Sequence, residues 1–225
     1  METSLHRQLK EHYAGDAESR EVRIDSFRID AVADGQLIEI QSAPLGAIRD
    51  KIRRLVEEHD VLVVKPLAAR KTLVKVKPRG GAVVSTRRSP RRETVYDAFG
   101  ELVHFVPVFP HPRLTLDVLL TEQEEHRVPA RRRRRRGKDY RVLDRRLVQI
   151  VETRRFRTAD DLARLLPAGL PESFTTLDLS EQLGIPRWLA QKMAYCLRRI
   201  DAIEDVGVLA RSRLYERKHG DRRAA

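Results

Sequence analysis

The sequence predicts an α/β protein in the order α-β-β-β-α-β, followed by a separate region of two helices and a β-hairpin. Three observations lead to this prediction. Apolar residues recur with helical period near the N-terminus and again around residues 44–58. Between these helices, alternating segments flank Asp34-Gly35, which is a signal for a two-residue turn. Near the C-terminus, a capped helix, a glycine and a second helix precede two short strands.

The N-terminal third supplies the α-β-β-β-α-β order. Helices are predicted over Ser4–Ala14 and Pro44–Glu58 from the spacing of their apolar residues. Strands are predicted where apolar and polar residues alternate or where apolar residues run continuously. These segments are Glu21–Asp25, Phe27–Ala33, Gln36–Gln41, Val61–Pro66 and Thr72–Val76.

Residues 77–165 give weaker local signals. Lys77–Glu93 is rich in Gly, Pro and Arg, which predicts a linker or mobile loop. Thr94–Phe105 favours a helix, whereas Leu114–Leu120 and Arg141–Thr153 leave strand and helix open. Arg131–Arg136 is a run of six arginines, a composition that is disordered unless a polyanion neutralises it.

The C-terminal region has clearer boundaries. Thr175-Thr176 is predicted to cap a short helix that Gly184 ends. Pro186 opens the next helix near its first turn, where proline is tolerated. Two short strands are predicted over Ala202–Val208 and Leu214–Glu216. A helix, a tight turn, a helix and a β-hairpin together resemble a winged helix.

Charge separates the chain into two parts. Residues 1–80 carry 15 Lys and Arg against 13 Asp and Glu, whereas residues 81–225 carry 30 against 20. The second part therefore has the excess positive charge of a polyanion-binding surface. A single cysteine excludes an internal disulfide framework and a cysteine-based zinc cluster. Because no apolar run approaches a membrane span or a signal peptide, we expect a cytoplasmic protein that does not contact membranes.

The hairpin around Asp34-Gly35 predicts a pair of carboxylates. With a two-residue turn, Asp30 faces Glu39 on the neighbouring strand, and apolar residues occupy the other face. Directly opposed Cβ atoms lie about 4.5–5.5 Å apart, so two carboxylates there share a proton, bind a cation or repel. Carboxylate oxygens suit Mg²⁺ or Mn²⁺, and the carbonyl of Ile40 offers a further ligand.

These residues resemble the PD-(D/E)xK nuclease superfamily, which includes restriction endonucleases and Holliday-junction resolvases. The resemblance covers residues 4–77 and rests on Ile29-Asp30, on Glu39-Ile40-Gln41 and on the helix from Pro44. It implies a restriction-endonuclease-like core in which Asp30 and Glu39 bind Mg²⁺ and position 41 helps to orient or activate the attacking water. The metal would stabilise charge on the scissile phosphate and lower the pKa of its bound water.

The chain departs from the superfamily pattern at position 41, where Gln41 replaces the usual lysine. Lys51 on the following helix is a candidate to supply the missing charge, with Arg49 as another. Glu11 is the candidate for the acidic residue that many members carry on their first helix. Two other interpretations remain open. The hairpin acids could pair with Arg28 or a neighbouring arginine, or the fold could be an inactive nuclease kept for binding.

Polar residues of the second C-terminal helix are candidates to contact DNA. In a helix-turn-helix this helix enters the major groove, where Arg and Gln make bidentate contacts to guanine and adenine. Trp188 is expected to fill a core or inter-domain gap. The predicted DNA-binding residues on the helix, the following hairpin and the arginine run are Arg187, Gln191, Arg198, Arg211, Arg213, Arg131, Arg132, Arg133, Arg134, Arg135 and Arg136.

Together these features predict a Mg²⁺- or Mn²⁺-dependent DNA endonuclease. Its predicted parts are a nuclease-like core over residues 1–80, a basic connector or extension over 81–165 and a winged-helix-like domain over 166–220. The predicted catalytic residues are Asp30, Glu39, Gln41 and Lys51. The alternative is a non-catalytic DNA-binding protein on a degenerate nuclease fold. A homodimer is expected if both strands of a duplex are cut.

Overall fold

The computed structural model describes residues 2–14, 20–24, 26–78, 81–130 and 139–218. Within these residues the chain is a mixed α/β protein, which confirms the predicted class. None of the helices described there is long and apolar enough to cross a membrane. The predicted arginine run Arg131–Arg136 lies outside the described residues.

Most of the strands form one sheet. Its strand order is β1-β2-β3-β4-β6-β7, and β5 pairs with β4 away from this path. The predicted connector, residues 81–165, therefore contributes β5, β6 and β7 to the same sheet as the N-terminal strands. These seven strands are β1 (Arg20–Ile24), β2 (Phe27–Ala33), β3 (Gln36–Ile40), β4 (Val61–Val76), β5 (Val83–Arg88), β6 (Leu114–Pro129) and β7 (Tyr140–Phe156).

The helices and three further strands complete the fold. Short 3₁₀ turns over Leu45–Ile48 and Val95–Ala98 precede α2 and α3. The remaining elements are α1 (Ser4–Ala14), α2 (Arg49–Glu58), α3 (Phe99–Leu102), α4 (Ala159–Ala163), β8 (Ser173–Phe174), α5 (Thr176–Leu183), α6 (Arg187–Arg199), β9 (Ile203–Leu209) and β10 (Ser212–Arg217).

The chain divides into two compact units that are each discontinuous in sequence. The first unit comprises the described residues of Met1–Ser42, Leu62–Val95 and Asp117–Arg154, and it holds α1 and most of the large sheet. The second comprises Ala43–Val61, Tyr96–Leu116 and the described residues from Arg155 onward. The α2 helix, predicted as part of the N-terminal core, thus groups with the second unit.

Two local predictions are wrong, for related reasons. Val61–Val76 is one strand rather than two, and Lys77–Glu93 contains β5 rather than a linker. All six residues of β5 are exposed although the strand pairs with β4 from Thr72 to Val76. A strand that buries no side chain leaves no apolar pattern to detect. Leu114–Leu120 and Arg141–Thr153, left open between strand and helix, both lie within long strands.

The α1 helix packs on the sheet and contacts both of its edges. Leu5 and Leu9 are fully buried in a cluster with apolar residues of β2, β3, β4 and β6. Gln8 accepts from the main-chain N–H of Leu147 in β7 at 2.9 Å and donates to its carbonyl at 3.3 Å. On the other flank, Lys10 Nζ lies 2.8 Å from Glu21 in β1. On the β7 side, Gln8 therefore satisfies main-chain groups that a second chain could otherwise pair with.

The second unit contains the predicted helix-turn-helix and β-hairpin elements. Thr175 caps α5 by accepting from the N–H groups of Leu177 and Asp178 at 3.2 and 3.4 Å. Gly184 ends α5 in the left-handed conformation, with φ 61°, which a glycine adopts without strain. Strands β9 and β10 form the hairpin, and β10 also pairs with β8.

The α5 cap makes a testable contribution to stability. The N–H of Thr175 donates to Asp178 at 2.7 Å, and this hydrogen bond lowers the pKa of Asp178. Stabilisation from a lowered carboxyl pKa is present above its unfolded value and is lost as pH falls through the folded value. Asp178→Ala is therefore expected to cost about 1 kcal/mol at neutral pH and less near pH 3. Urea unfolding at both pH values measures this, with Glu181→Ala as the exposed control. An equal cost at both pH values would contradict it.

Candidate metal site and nucleic-acid interface

The hairpin register around Asp34-Gly35 is confirmed for three residue pairs. Ala31 pairs with Ile38, Val32 with Leu37 and Ala33 with Gln36, as a two-residue turn requires. The ladder described between β2 and β3 ends at the first of these pairs. Beyond it, Asp30 Oδ2 accepts from the N–H of Ile40 at 2.9 Å. The carboxylate of Asp30 therefore lies against the peptide group that joins Glu39 to Ile40.

Asp30 has a second partner that the sequence did not indicate. Nε2 of His6, on α1, lies 3.0 Å from Asp30 Oδ1. Burial raises the pKa of Asp30, but the hydrogen bonds from His6 and Ile40 together hold that pKa below its ordinary value. Asp30 is consequently kept as a carboxylate, the form that binds a cation. Arg28, which the alternative interpretation paired with the hairpin acids, contacts Glu21.

His6 and Lys10 belong to a polar stripe on α1, and Glu2, just before the helix, extends it. Lys10 is only 5% exposed and lies 2.5 Å from Glu2 as well as 2.8 Å from Glu21. Burial lowers the pKa of Lys10, but its hydrogen bonds to these two acids raise it above the ordinary value. Those contacts with Lys10 also lower the pKa of Glu21 to about 2. Residues 2, 6 and 10 are each four positions apart, and this spacing is the signal by which the sequence could have indicated the stripe.

Glu39, Gln41 and Lys65 lie on the same face of the sheet. Ile40 and Val64 pack in the cluster beneath α1, and side chains alternate along a strand, so their neighbours in sequence point to the opposite face. The N–H of Gln41 donates to the carbonyl of Val64 at 2.8 Å, which joins β3 and β4 next to Lys65. Glu39 and Lys65 are 5% and 3% exposed. A buried carboxylate and a buried ammonium therefore occupy adjacent strands.

The atoms that these residues offer are oxygens, which suit a hard divalent cation. Asp30, Glu39, Gln41 and the carbonyl of Ile40 offer oxygen ligands of the type that such a cation prefers. Directly after Gln41, the hydroxyl of Ser42 is buried with no hydrogen-bond partner in the described structure. Among the described residues no group of three or more His, Cys, Asp and Glu side chains converges on one point. Mg²⁺ commonly binds through one or two carboxylates together with waters and substrate phosphates.

The two assisting candidates lie in different surroundings. Glu11 is on α1, 50% exposed, and its carboxylate lies 3.4 Å from Arg20. Lys51 is half-buried on α2, in the second unit. Their roles as assisting acid and catalytic lysine stay predictions.

The α6 helix presents the predicted DNA-contacting residues to solvent. Its apolar stripe, which contains Leu189, Met193 and Leu197, is buried. Arg187, Gln191 and Arg198 are exposed on the opposite side. The helix also buries Cys196, and this burial raises the pKa of the thiol to about 12, so the single cysteine is a core residue rather than a nucleophile.

Trp188 and the hairpin after α6 depart from expectation. Trp188 is 52% exposed, so of the two expected places, a core gap or an inter-domain gap, the core gap is wrong. The buried stripe of α6 is already occupied by aliphatic side chains, which leaves no core position for the indole. On the β9–β10 hairpin, Arg211 lies exposed at the turn, whereas Arg213 contacts Asp205. Val208 and Leu209 beside the turn are 71% and 61% exposed.

A family model described as a domain of unknown function, DUF8091, matches residues 3–157. The chain belongs to this family. An uncharacterized protein of Treponema pallidum (strain Nichols) is similar to it, with 30% identity over 181 residues, or 80% of this chain and 72% of that protein. No solved structure matches the chain significantly.

The DUF8091 match covers α1 and all seven strands of the large sheet. It therefore includes Asp30, Glu39, Gln41 and Lys65, along with His6. Helices α5 and α6 and the β9–β10 hairpin lie beyond its C-terminal end at residue 157. The candidate metal site is thus part of the DUF8091 region, whereas the exposed face of α6 is not.

Proposed function

We propose that this protein is a Mg²⁺- or Mn²⁺-dependent nuclease that hydrolyses phosphodiester bonds in DNA. The observation that carries this proposal is the contact of Asp30 with the peptide group between Glu39 and Ile40. It places an ionised carboxylate beside the main chain of Glu39, a buried acid on the adjacent strand. The assignment of these residues follows the restriction-endonuclease-like core that the resemblance implies.

Each residue of the site has a distinct role in this proposal. Asp30, Glu39 and the carbonyl of Ile40 would hold the cation, and His6 keeps Asp30 oriented through its hydrogen bond at 3.0 Å. The cation supplies charge stabilisation for the phosphate and lowers the pKa of bound water. Gln41 orients water through its amide. Lys65 provides the positive charge that Gln41 lacks, since it lies on the same face of the sheet.

The C-terminal elements would position the chain on DNA as a winged helix. The exposed side chains Arg187, Gln191 and Arg198 match the face that a recognition helix presents to a groove. Arg211 at the hairpin turn is positioned to reach a phosphate, and Arg213 shares its charge with Asp205. Cleavage of both strands of a duplex would call for two copies of the chain.

A non-catalytic DNA-binding protein is the second candidate function. Two observations favour it: a glutamine where the superfamily has lysine, and no group of three metal-ligating side chains among the described residues. The excess of Lys and Arg in residues 81–225 suits either function. The carboxylates of Asp30 and Glu39 distinguish the two candidate functions. A protein that only binds DNA gains nothing from two acids near the phosphates unless a cation lies between acid and phosphate.

Cleavage of labelled linear, branched and single-stranded DNA with Mg²⁺ or Mn²⁺ tests the proposal. Glu39→Gln and Asp30→Asn keep the side-chain shape but remove a charge, so cleavage is expected to fall by about a thousandfold. Calorimetric titration with Mn²⁺ is expected to show weakened binding in both variants. Glu152→Gln, on an exposed part of β7, is the matched control.

The second candidate predicts a different result. DNA binding without cleavage, equal in the wild type and Glu39→Gln, would overturn the nuclease proposal. Unfolding curves establish that both acid variants are folded. If both folded variants still cleave DNA, Asp30 and Glu39 do not form the catalytic site.

A further inference from the structure

The exposed face of α6 carries two aromatic side chains that DNA groove binding does not require. Trp188 is 52% exposed and Tyr195 is 42% exposed. Large aromatic rings are mostly buried in folded proteins, so two of them exposed on one short helix indicate a binding surface. We call the set of Arg187, Trp188, Gln191, Tyr195, Arg198 and Arg199 the α6 face; all six are exposed.

The two rings point to the same side of the helix. They are seven residues apart, which is close to two helical turns, so they lie about 10 Å apart along the axis. Gln191 lies between them on the same side. The two rings are therefore far enough apart to contact separate bases of one strand.

Charge on α6 is entirely positive. Residues 187–199 contain three arginines and one lysine and no acidic residue. Lys192 Nζ lies 5.4 Å from the centroid of the Trp188 ring and donates to the carbonyl of Gly100 at 3.1 Å. A cation is thus held over the indole, and the indole remains half exposed. Such a surface is complementary to an anionic chain that also offers flat apolar rings.

Nucleic acid with unpaired bases has this combination of properties. In a duplex the base faces are stacked on one another, and only base edges are accessible in the grooves. An unpaired base exposes its π-face, which stacks on Trp or Tyr while arginines contact the phosphates. We propose that the α6 face binds single-stranded or locally unpaired DNA, with bases stacked on Trp188 and Tyr195. This inference deepens the proposed function by naming its substrate class, and it rests on that function for the choice of nucleic acid.

The chain supplies its own probe for this proposal, because Trp188 is its single tryptophan. The full chain is titrated with oligo(dT) of about 15 nucleotides and with a duplex of the same length, in EDTA to prevent cleavage. Stacking on the indole is expected to quench its fluorescence in a saturable way with oligo(dT). The duplex is expected to bind less tightly and to quench less.

Substitutions on the α6 face test whether the aromatic rings contribute to the affinity for oligo(dT). Trp188→Ala and Tyr195→Ala are each expected to weaken oligo(dT) binding about 5- to 100-fold by anisotropy, and Tyr195→Phe is expected to keep wild-type affinity. Leu177→Ala is the matched control, since Leu177 is an exposed apolar residue of α5 (43%) outside this face. Unfolding curves confirm that each variant is folded.

The outcomes separate this proposal from the nuclease proposal. Equal binding of duplex and oligo(dT), with no effect of Trp188→Ala on either, would overturn stacking even if Glu39-dependent cleavage is observed. Oligo(dT) binding that depends on both aromatic residues supports it even if no cleavage is found. No DNA binding at all, with the aromatic residues instead required for contact with a protein, would also overturn it.

Discussion

Replacing Leu9 by alanine is expected to lower the free energy of unfolding by about 2–5 kcal/mol. Leu9 is 0% exposed and belongs to the apolar cluster beneath α1 that also contains Ile38, Ile40 and Val64. The truncation removes buried apolar surface and leaves a cavity that the strands cannot close without losing their pairing. Urea unfolding followed by circular dichroism measures the change.

A matched control exists one half-turn away on the same helix. Arg7 is exposed, so Arg7→Ala is expected to change stability by no more than about 0.5 kcal/mol. Equal effects of the two substitutions would show that α1 does not contribute its apolar face to the core. Because α1 also carries His6, Gln8 and Lys10, its detachment would remove contacts to β7, β2 and β1 together.

The parts of the fold that the sequence predicted well are those with local causes. The Asp34-Gly35 turn determines which residues of β2 and β3 face each other, since a two-residue turn permits one register. The caps of α5 likewise involve Thr175, Asp178 and Gly184, all within ten residues. These signals need no knowledge of the rest of the chain.

The parts that the sequence did not predict depend on distant partners. Strand β5 is held by main-chain hydrogen bonds to β4. The residue types in β5 do not indicate this pairing. His6 and Asp30 are 24 positions apart, and their contact requires α1 to cross the sheet. Trp188 was assigned to a core or inter-domain gap from its residue type, although the aliphatic residues of α6 already fill the core. Residue type predicts how often a side chain is buried on average, whereas the packing of its own helix determines whether a particular side chain is buried.

Lys65, at the candidate site, is another residue whose neighbours could not be predicted from the sequence. Its place in a continuous apolar run, Val61–Pro66, predicts a buried strand but gives no reason for a lysine. Only the hydrogen bond from Gln41 to the carbonyl of Val64 shows that Lys65 adjoins the Glu39-Ile40-Gln41 segment. Sequence reasoning therefore looked for the missing charge on the following helix, at Lys51.

Replacing Lys65 by methionine is expected to reduce metal-dependent DNA cleavage by about a hundred- to a thousandfold. Methionine keeps much of the length and apolar stem of lysine but removes the charge. Lys65 is 3% exposed on the strand next to Glu39, and its ammonium group would there stabilise an anion in the transition state. The phosphate of DNA is that anion in the proposed mechanism. Cleavage kinetics with saturating Mn²⁺ measure the effect, and Mn²⁺ affinity is expected to change far less than the rate.

Two comparisons make this result specific. Lys75, an exposed lysine on the same strand, is the matched control, and Lys75→Met is expected to leave cleavage within about threefold. Lys51→Met tests the competing assignment, which predicts the larger loss at Lys51. If Lys65→Met cleaves at the wild-type rate while Lys51→Met does not, the charge comes from α2 and the assignment to Lys65 is wrong. If Lys65→Met alone loses activity, the positive charge of the site lies on β4, one strand away from where the superfamily carries it.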